Sequence, residues 1–304
     1  VDTLALNLGR SLFGDKLNTS VIEFSGAGGK FIVKRPSFFA STGANSTIKL
    51  NGVLKLQAEV FSASEDDEIE VSSISAGFYS YLHVAGGFLT AVHFGSRSGN
   101  IRAGLGTILK TGDYLPYASP VNVKISAIKM RNYTNCNKIR LISGPQTRLF
   151  SKKIFDNFLK TEFTITSSRD RMGIRLGHQG KKFDTKSGLN VLSEAIEIGD
   201  IQIDGQGVPT ILLNDRQPTG GYPRIATVIS ADLHKVAQIG VNSTFKFTLV
   251  SLNEAIKALK DFTDELSDLE NEVFNLTRDP GDIDNLLSYG LIDGVIRGDE
   301  YEES

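Results

Sequence analysis

Short runs of β-branched and aromatic residues, separated by turns rich in glycine, recur along the chain as far as residue 250. Glycine turns between runs of Val, Ile, Thr and Phe favour many short strands over long helices. Within residues 21–115 the runs alternate apolar and polar positions, which is the period of a half-buried antiparallel strand. The pattern predicts a first group of strands at 21–24, 30–33, 46–53, 55–61, 68–74 and 78–85, and a second group at 136–143, 162–167, 209–213, 225–229 and 245–250.

Three short segments have helical periodicity instead. Residues 2–13 repeat leucine at four-residue spacing, with Asp2 or Thr3 as the cap and Gly14 as the stop. Residues 145–159 and 231–238 are the other two. We therefore expect a β-rich protein with peripheral helices.

The C-terminal segment follows a different repeat. Apolar residues from Leu252 to Leu276 are spaced alternately by three and four positions, a 3.5-residue repeat typical of a long amphipathic helix. The sequence Asp279-Pro280-Gly281 is expected to end it. Two placements are open: the helix lies on the β body, or it makes a coiled-coil contact with another chain.

Composition narrows the class of protein. The chain has 304 residues, of which 40% are hydrophobic and 22% charged, with a net charge of -2. No apolar run approaches the roughly 20 residues that cross a bilayer, and nothing indicates a nucleic-acid partner. The single cysteine, Cys136, excludes an internal disulfide and fits a reducing compartment. We therefore expect a cytoplasmic protein, and we expect residues upstream of Val1 because it is not a Met.

Several common motifs are missing from the sequence. Gly29-Lys30 is followed by Phe31 rather than Ser or Thr, so it is not a phosphate-binding loop. The four histidines have no metal-ligand spacing, and we expect no metal site. His83 lies in an apolar run and is interpreted as a core residue.

Arginines cluster in residues 167–177. Arg169, Arg171 and Arg175 fall within seven residues, and on a single strand they would share one face. Arginine forks bind carboxylates and phosphates in a bidentate manner. The alternative is a solvated edge strand in which Asp170 pairs with one arginine.

A polar loop follows at residues 213–232. Asp215, Arg216, Gln217 and Thr219 supply donors and acceptors just before Gly220-Gly221. The two glycines permit either close backbone approach or positive φ. A polar loop between two strands is a common way to hold a site on a rigid scaffold, although an ordinary hairpin with a polar loop is the alternative.

Residues 215–232, Asp-Arg-Gln-Pro-Thr-Gly-Gly-Tyr-Pro-Arg-Ile-Ala-Thr-Val-Ile-Ser-Ala-Asp, closely resemble the signature of the KipA family. This family is also called allophanate hydrolase subunit 2 or the biotin-dependent carboxyltransferase family, and it includes the 5-oxoprolinase component PxpC. Residues 81–87 with 95–98, 167–173, and 193–202 resemble further family motifs. The resemblance covers about residues 2–250, while an N-terminal family segment is missing. Arg224 stands where the family commonly has lysine.

The resemblance implies a mainly β fold of two cyclophilin-like β-barrel modules with peripheral helices and a C-terminal amphipathic helix. The expected divisions are an N-terminal module at 1–125, a connecting segment at 126–160, a C-terminal module with the signature motifs at 161–250, and a helical tail at 251–304.

The resemblance also implies a subunit of an ATP-dependent 5-oxoprolinase that acts on a small amide with a KipI-like (PxpB) partner and a PxpA-like subunit. ATP is then used by the complex, without a nucleotide site assigned to this chain. The alternatives are a biotin-dependent carboxyltransferase acting on urea or a similar amide, with biotin as cofactor only in that case, and a non-catalytic protein that binds a KipI-like partner. The sequence contains no biotin-carrier or ATP-grasp segment, which favours the oxoprolinase subunit.

In that family context we expect the site between the arginine segment and the glycine loop. Arg171 is expected to act in catalysis, orienting a substrate carboxylate with Arg175, and Asp215 to act as acid–base group or only to orient Arg216. The other expected substrate contacts are Arg169, Arg216, Gln217, Thr219, Gly220, Gly221 and Tyr222.

Overall fold

The computed structural model describes residues 1–14, 20–118, 123–131, 136–185 and 188–277. Strands outnumber helices along this part of the chain, which confirms the prediction of a mainly β fold. The described residues form the helices α1 (Thr3–Phe13), α2 (Lys152–Lys160), α3 (Leu233–Gln238) and α4 (Leu252–Asp268), with 3₁₀ turns at Ile101–Ala103, Thr147–Leu149, Ser230–Asp232 and Leu269–Glu272. None of these helices is long and apolar enough to cross a membrane.

The first unit contains two four-stranded antiparallel sheets around one core. Its strands are β1 (Ile22–Ser25), β2 (Gly29–Ile32), β3 (Ser37–Asn45), β4 (Ile48–Leu50), β5 (Val53–Lys55), β6 (Phe61–Ala63), β7 (Glu68–Val71) and β8 (Ala76–Val84). The sheet orders are β1-β8-β3-β6 and β2-β7-β4-β5. Ile48, Ile69 and Leu82 are buried in the shared core, because alternate residues of each strand face the same side.

The second unit is a closed seven-stranded barrel. The remaining strands are β9 (Ser126–Ala127), β10 (Lys138–Ile142), β11 (Glu162–Arg169), β12 (Gly173–His178), β13 (Glu194–Ala195), β14 (Asp200–Ile203), β15 (Pro209–Leu212), β16 (Thr219–Gly220), β17 (Arg224–Val228), β18 (Thr244–Leu249) and β19 (Phe274–Asn275). The barrel order is β10-β17-β14-β15-β12-β11-β18, closed by the parallel pairing of β10 with β18. In the described residues, strand pairing closes a barrel only in this unit. The division at residues 125 and 160 stays a prediction.

Helix α1 has the predicted ends. The Asp2 carboxylate accepts from the Ala5 backbone N–H at 3.0 Å, and Gly14 adopts a left-handed φ of 60° just after the last turn. The buried side of α1 includes Leu4 and Leu8, which pack in one cluster with Leu269 near the end of the described chain. The helix therefore joins the first unit to the C-terminal segment.

The two middle helices are shorter than predicted. The segment predicted at 145–159 divides into a 3₁₀ turn and α2, and the segment predicted at 231–238 begins with a second 3₁₀ turn before α3. The fully buried ring of Phe158 anchors α2 to the barrel core, with its centroid 5.1 Å from those of Phe163 and Phe247.

The C-terminal helix is also shorter than predicted. Helix α4 ends at Asp268, and the prediction of one helix up to residue 276 is wrong, because Phe274–Asn275 pairs with β9 as a strand. Phe262 of α4 stacks on His234 with ring centroids 4.6 Å apart, so the helix lies on the β body. The predicted stop at residues 279–281 lies outside the described residues.

His83 is a core residue, as predicted. Its side chain is 4% exposed, and Nε2 lies 2.8 Å from the Thr42 hydroxyl oxygen. Gly9 of α1 packs directly against the ring, since a Cβ built there would be 2.0 Å from Cε1. Burial lowers the pKa of His83 to about 3.

Candidate functional site

The predicted arginine segment forms a hairpin. Arg169 is the last residue of β11, Arg171 lies in the turn, and Arg175 lies on β12. Asp170 Oδ1 closes the turn by accepting from the backbone N–H groups of Met172 at 2.7 Å and Gly173 at 3.2 Å. The prediction that the three arginines share one face of one strand is therefore wrong.

Arg171 and Asp215 form a bidentate ion pair, as the choice of these two residues anticipated. Arg171 Nε donates to one carboxylate oxygen at 2.8 Å, and Nη2 donates to the other at 3.1 Å. Arg171 Nη1 also donates to Glu23 of β1, so the pair lies where the two units meet. Burial alone would lower the pKa of Arg171, but the hydrogen bonds and charges of Asp215 and Glu23 outweigh burial and raise that pKa.

Asp215 is thus held by Arg171 through both carboxylate oxygens. Its backbone N–H also donates to the Arg171 carbonyl at 2.8 Å. The alternative in which Asp215 orients Arg216 is wrong. Arg216 instead donates to the Ile196 carbonyl and to Glu197, each at 3.0 Å. Arg216 therefore fixes the start of the glycine loop against residues 196–197.

Arg169 has structural contacts. Its guanidinium donates to the carbonyls of Ala237, at 2.8 Å, and Ile239 at the end of α3. The guanidinium carbon lies 3.6 Å from the ring centroid of Phe78 in the first unit. Burial lowers the pKa of Arg169 to about 10. These contacts make Arg169 a connection between the units.

The glycine loop depends on close packing. Neither Gly220 nor Gly221 has a positive φ. A Cβ built on Gly220 would lie 2.3 Å from Gln202 Nε2, whereas one built on Gly221 would meet nothing nearer than the Val191 carbonyl oxygen at 3.4 Å. Of the two roles considered for the glycines, close approach therefore applies, and it applies at Gly220.

Arg224, which stands where the family commonly has lysine, anchors the loop from behind. Its side chain is buried and donates to Glu194 at 2.7 Å and to Asp200 at 3.2 Å. Its Nε donates to Gln146 Oε1 at 3.2 Å. This network ties β17 to β13 and β14 on both sides of the loop.

A cavity of about 520 Å³ lies between the β11–β12 hairpin and the glycine loop. Four of the predicted site residues border it: Arg169, Arg175, Gln217 and Tyr222. The other six are not among its lining residues: Arg171, Asp215, Arg216, Thr219, Gly220 and Gly221. The prediction thus found the right region, while the residues that line the cavity differ in part from those predicted.

Residues that the sequence did not indicate complete the cavity. Arg102, from the first unit, reaches it and pairs with Asp170 at 3.3 Å. Asp204 pairs with Arg175 at the rim, and Gln202 borders the cavity from β14. Gln202 lies in a segment that carried the family resemblance, which was a usable signal, whereas no motif marks Arg102.

The cavity combines cationic, amide and apolar groups. Arg102 and Arg175 supply positive charge, Gln202 and Gln217 supply amides, and Leu212 supplies apolar surface. Within the described ranges, no group of three or more His, Cys, Asp or Glu side chains is placed to hold a metal ion. This lining suits a small polar ligand that carries a negative charge and a carbonyl group.

Residues 1–249 match the family of the carboxyltransferase domain, subdomain A and B. This chain belongs to that family. The resemblance that the sequence motifs carried is thereby confirmed. Among carboxyltransferase-domain relatives, the C-type subunit of 5-oxoprolinase from Haemophilus influenzae is 34% identical over 265 residues, covering 84% of this chain and 84% of that protein. Its counterpart in Escherichia coli is 31% identical over 265 residues, covering 86% and 85%.

The same architecture occurs in a solved structure. The Kluyveromyces lactis urea carboxylase matches this chain with a TM-score of 0.78 at 21% identity, over 92% of this chain and 28% of the other. At that identity the similarity concerns the fold. The carboxyltransferase-domain fold of this chain is therefore that of a segment of a larger protein.

Proposed function

We propose that this chain is a subunit of an ATP-dependent 5-oxoprolinase, which opens 5-oxo-L-proline to L-glutamate together with a KipI-like (PxpB) subunit and a PxpA-like subunit. The similarity to two proteins named as 5-oxoprolinase subunits supports the choice of reaction. The single observation that carries the proposal is the cavity beside the glycine loop, because its cationic and amide lining complements a small anionic lactam.

The lining suggests how the substrate would lie. Arg175 would bind the substrate carboxylate, since its guanidinium has five donors and only part of them are engaged by Asp204 and Gln206. Gln217 would donate to the lactam carbonyl, on whose oxygen negative charge develops as the ring opens. The exposed ring of Tyr222 would close one side.

Arg171 and Asp215 would then act as positioning residues. Their ion pair and the Asp215 N–H bond to the Arg171 carbonyl tie the glycine loop to the hairpin turn. Met172, the next residue in that turn, borders the cavity. The pair would fix the cavity wall without touching the substrate, and Arg216, Thr219, Gly220 and Gly221 would shape the loop in the same way.

A second candidate is a biotin-dependent carboxyltransferase acting on urea or a similar amide. The family match and the fold shared with a urea carboxylase favour it. The same cavity would bind the ureido group, and biotin would be delivered by another protein. In the oxoprolinase, ATP would be used by the assembled complex.

The test is co-purification with the KipI-like and PxpA-like proteins, followed by an ATP-dependent assay of glutamate release from 5-oxo-L-proline. We expect turnover only when all the subunits are present. Transfer of a carboxyl group from carboxybiotin to urea, without glutamate release, would favour the second candidate. Partner binding with neither activity would identify a non-catalytic protein that binds a KipI-like partner.

A pair of variants tests the cavity within that assay. Arg175→Ala should raise the KM for 5-oxo-L-proline, because it removes the proposed carboxylate ligand. Arg148→Ala makes the same change at an exposed position outside the cavity and should leave the KM unchanged. Equal KM values for the two variants would contradict the proposed substrate position.

A further inference from the structure

Gln202 is a buried polar residue whose donor has no protein partner. Its side chain is 4% exposed, and Nε2 makes no hydrogen bond within the described part of the chain. A buried donor left unpaired costs about 1–3 kcal/mol, so such groups are uncommon unless something else satisfies them. The unpaired amide therefore requires an explanation.

The position of Gln202 connects it to the cavity. It lies on β14, where the ladder with β17 is irregular between Ile201 and Gln202, and its side chain borders the cavity from the barrel side. Nε2 lies against Gly220, at the place that any Cβ on that residue would occupy. The glycine loop thus passes over the amide at the closest distance that a backbone permits.

The amide can face the cavity at little cost. The terminal torsion of a glutamine side chain is broad, so its carboxamide turns without leaving a favoured rotamer. Its surroundings differ from those of Gln146 and Gln238, which are also buried but whose amides are held by protein groups. Among these three buried glutamines, Gln202 alone has an unpaired donor in the described structure.

We propose that Gln202 is a substrate-binding residue that donates from the floor of the cavity to the carbonyl oxygen of an amide, lactam or ureido substrate. This assignment deepens the proposed function and rests on it for the class of substrate. Together with Gln217 at the mouth of the cavity, Gln202 would give the substrate oxygen two amide donors. Gly220 is then required because it leaves room for the Gln202 amide.

The chain labelled with ¹⁵N at glutamine provides a direct test. The Gln202 side-chain resonances are assigned as those missing from Gln202→Met, and 5-oxo-L-proline, 2-pyrrolidone and urea are added separately to the wild-type chain. We expect the Gln202 resonances to shift with at least one of these carbonyl ligands. If they do not move with any of the three, the assignment is overturned.

Kinetics and melting give a second readout. Gln202→Met is close in shape and removes both polar atoms, so we expect an increase in KM of about tenfold or more while the Tm of the free protein is unchanged or higher. A purely structural role predicts a lower Tm at unchanged KM, and that outcome would overturn the proposal. Gln179→Met, an exposed glutamine outside the cavity, is the matched control and should change neither.

The two proposals fail separately. Resonance shifts without turnover in the reconstituted complex would remove the 5-oxoprolinase function and leave Gln202 as a ligand-binding residue. Turnover with unmoved Gln202 resonances would retain the function and remove Gln202 from the site.

Discussion

The Gln238 carboxamide donates to the Asp2 carboxylate at 2.7 Å and so connects the end of α3 to the N-terminal cap of α1. Gln238 Nε2 also donates to the Tyr79 carbonyl at 2.7 Å, and its Oε1 accepts from the Phe78 N–H at 2.9 Å and the Tyr79 N–H at 3.2 Å. Gln238 and Asp2 are both completely buried. One amide therefore satisfies polar groups from a helix cap and a strand of the first unit.

Gln238→Leu should destabilise the protein by several kcal/mol. It leaves buried groups of Asp2, Phe78 and Tyr79 unpaired, and each such group costs about 1–3 kcal/mol. Gln57→Leu is the control, since Gln57 makes one hydrogen bond, to the Ala44 carbonyl at 2.9 Å, and should cost about 1 kcal/mol. Urea unfolding measures both. Equal losses would mean that the connection between the units adds no stability.

Alanine substitutions should distinguish the two loop glycines. Gly220→Ala places a Cβ on Gln202 Nε2, which must move away, so we expect weaker binding of 5-oxo-L-proline with a small change in Tm. Gly221→Ala meets only ordinary contacts, apart from the Val191 carbonyl at 3.4 Å, and should bind as the wild type does. Isothermal titration of the reconstituted complex measures the difference. If Gly221→Ala has the larger effect, the space at Gly220 is unimportant.

Asp215→Asn tests positioning against acid–base chemistry. The charge that holds Arg171 is reduced, so the positioning role predicts a lower Tm together with a partial loss of turnover. Acid–base catalysis predicts near-complete loss of turnover at unchanged Tm. Asp156→Asn, in an exposed i,i+4 pair with Lys152, is the control and should change neither quantity.

Stability should fall as the pH decreases below about 6.5 because of His83. The pKa of His83 is about 3 in the folded protein and ordinarily 6.5, so between these values the unfolded chain binds a proton that the folded chain does not. His234 acts in the same direction, because burial, aided by Lys235, lowers its pKa to about 4. Each contributes a slope of up to about 1.4 kcal/mol per pH unit.

Urea unfolding between about pH 7.5 and 5.5 measures this slope, above the range where most carboxylates titrate. His83→Gln should reduce the slope by up to one proton, and the double variant with His234→Gln should reduce it further. An unchanged slope in the double variant would show that other groups cause the pH dependence.

The C-terminal segment should contribute to stability through its end, not its beginning. Leu269 is fully buried against α1, so Leu269→Ala should cost about 2–5 kcal/mol. Ile256 of α4 is 57% exposed, and Ile256→Ala should change stability by less than about 0.5 kcal/mol. Thermal melting compares the two. A small effect at Leu269 would mean that α1 does not depend on this contact.

The sequence predicted the fold where local signals were complete. The cap and stop of α1 are both encoded in adjacent residues, and both are confirmed. The predicted strand at 46–53 was wrong because it ran through Asn51-Gly52, which have φ values of 49° and 80° and form the hairpin turn between β4 and β5. Strand β3 was missed, because its small and polar residues carry little periodic signal, although it is central in its sheet.

The site was predictable only in part for a similar reason. The Arg171–Asp215 pair was anticipated because both residues lie in recognisable motifs. Arg102 reaches the cavity from the first unit, and its contact with Asp170 spans 68 positions in a part of the chain without a motif. Long-range proximity of this kind arises from the packing of the units and leaves no local pattern.

The burial of α1 also sets an order of events during synthesis on the ribosome. Leu4 and Leu8 are made first, whereas Leu269, which shares their cluster, is made near the end of the described chain. A nascent chain that has completed only the first eight strands therefore still presents part of an apolar helix surface to water or to a chaperone. We expect the N-terminal helix to become protease-resistant only after the C-terminal turn has left the ribosome exit tunnel.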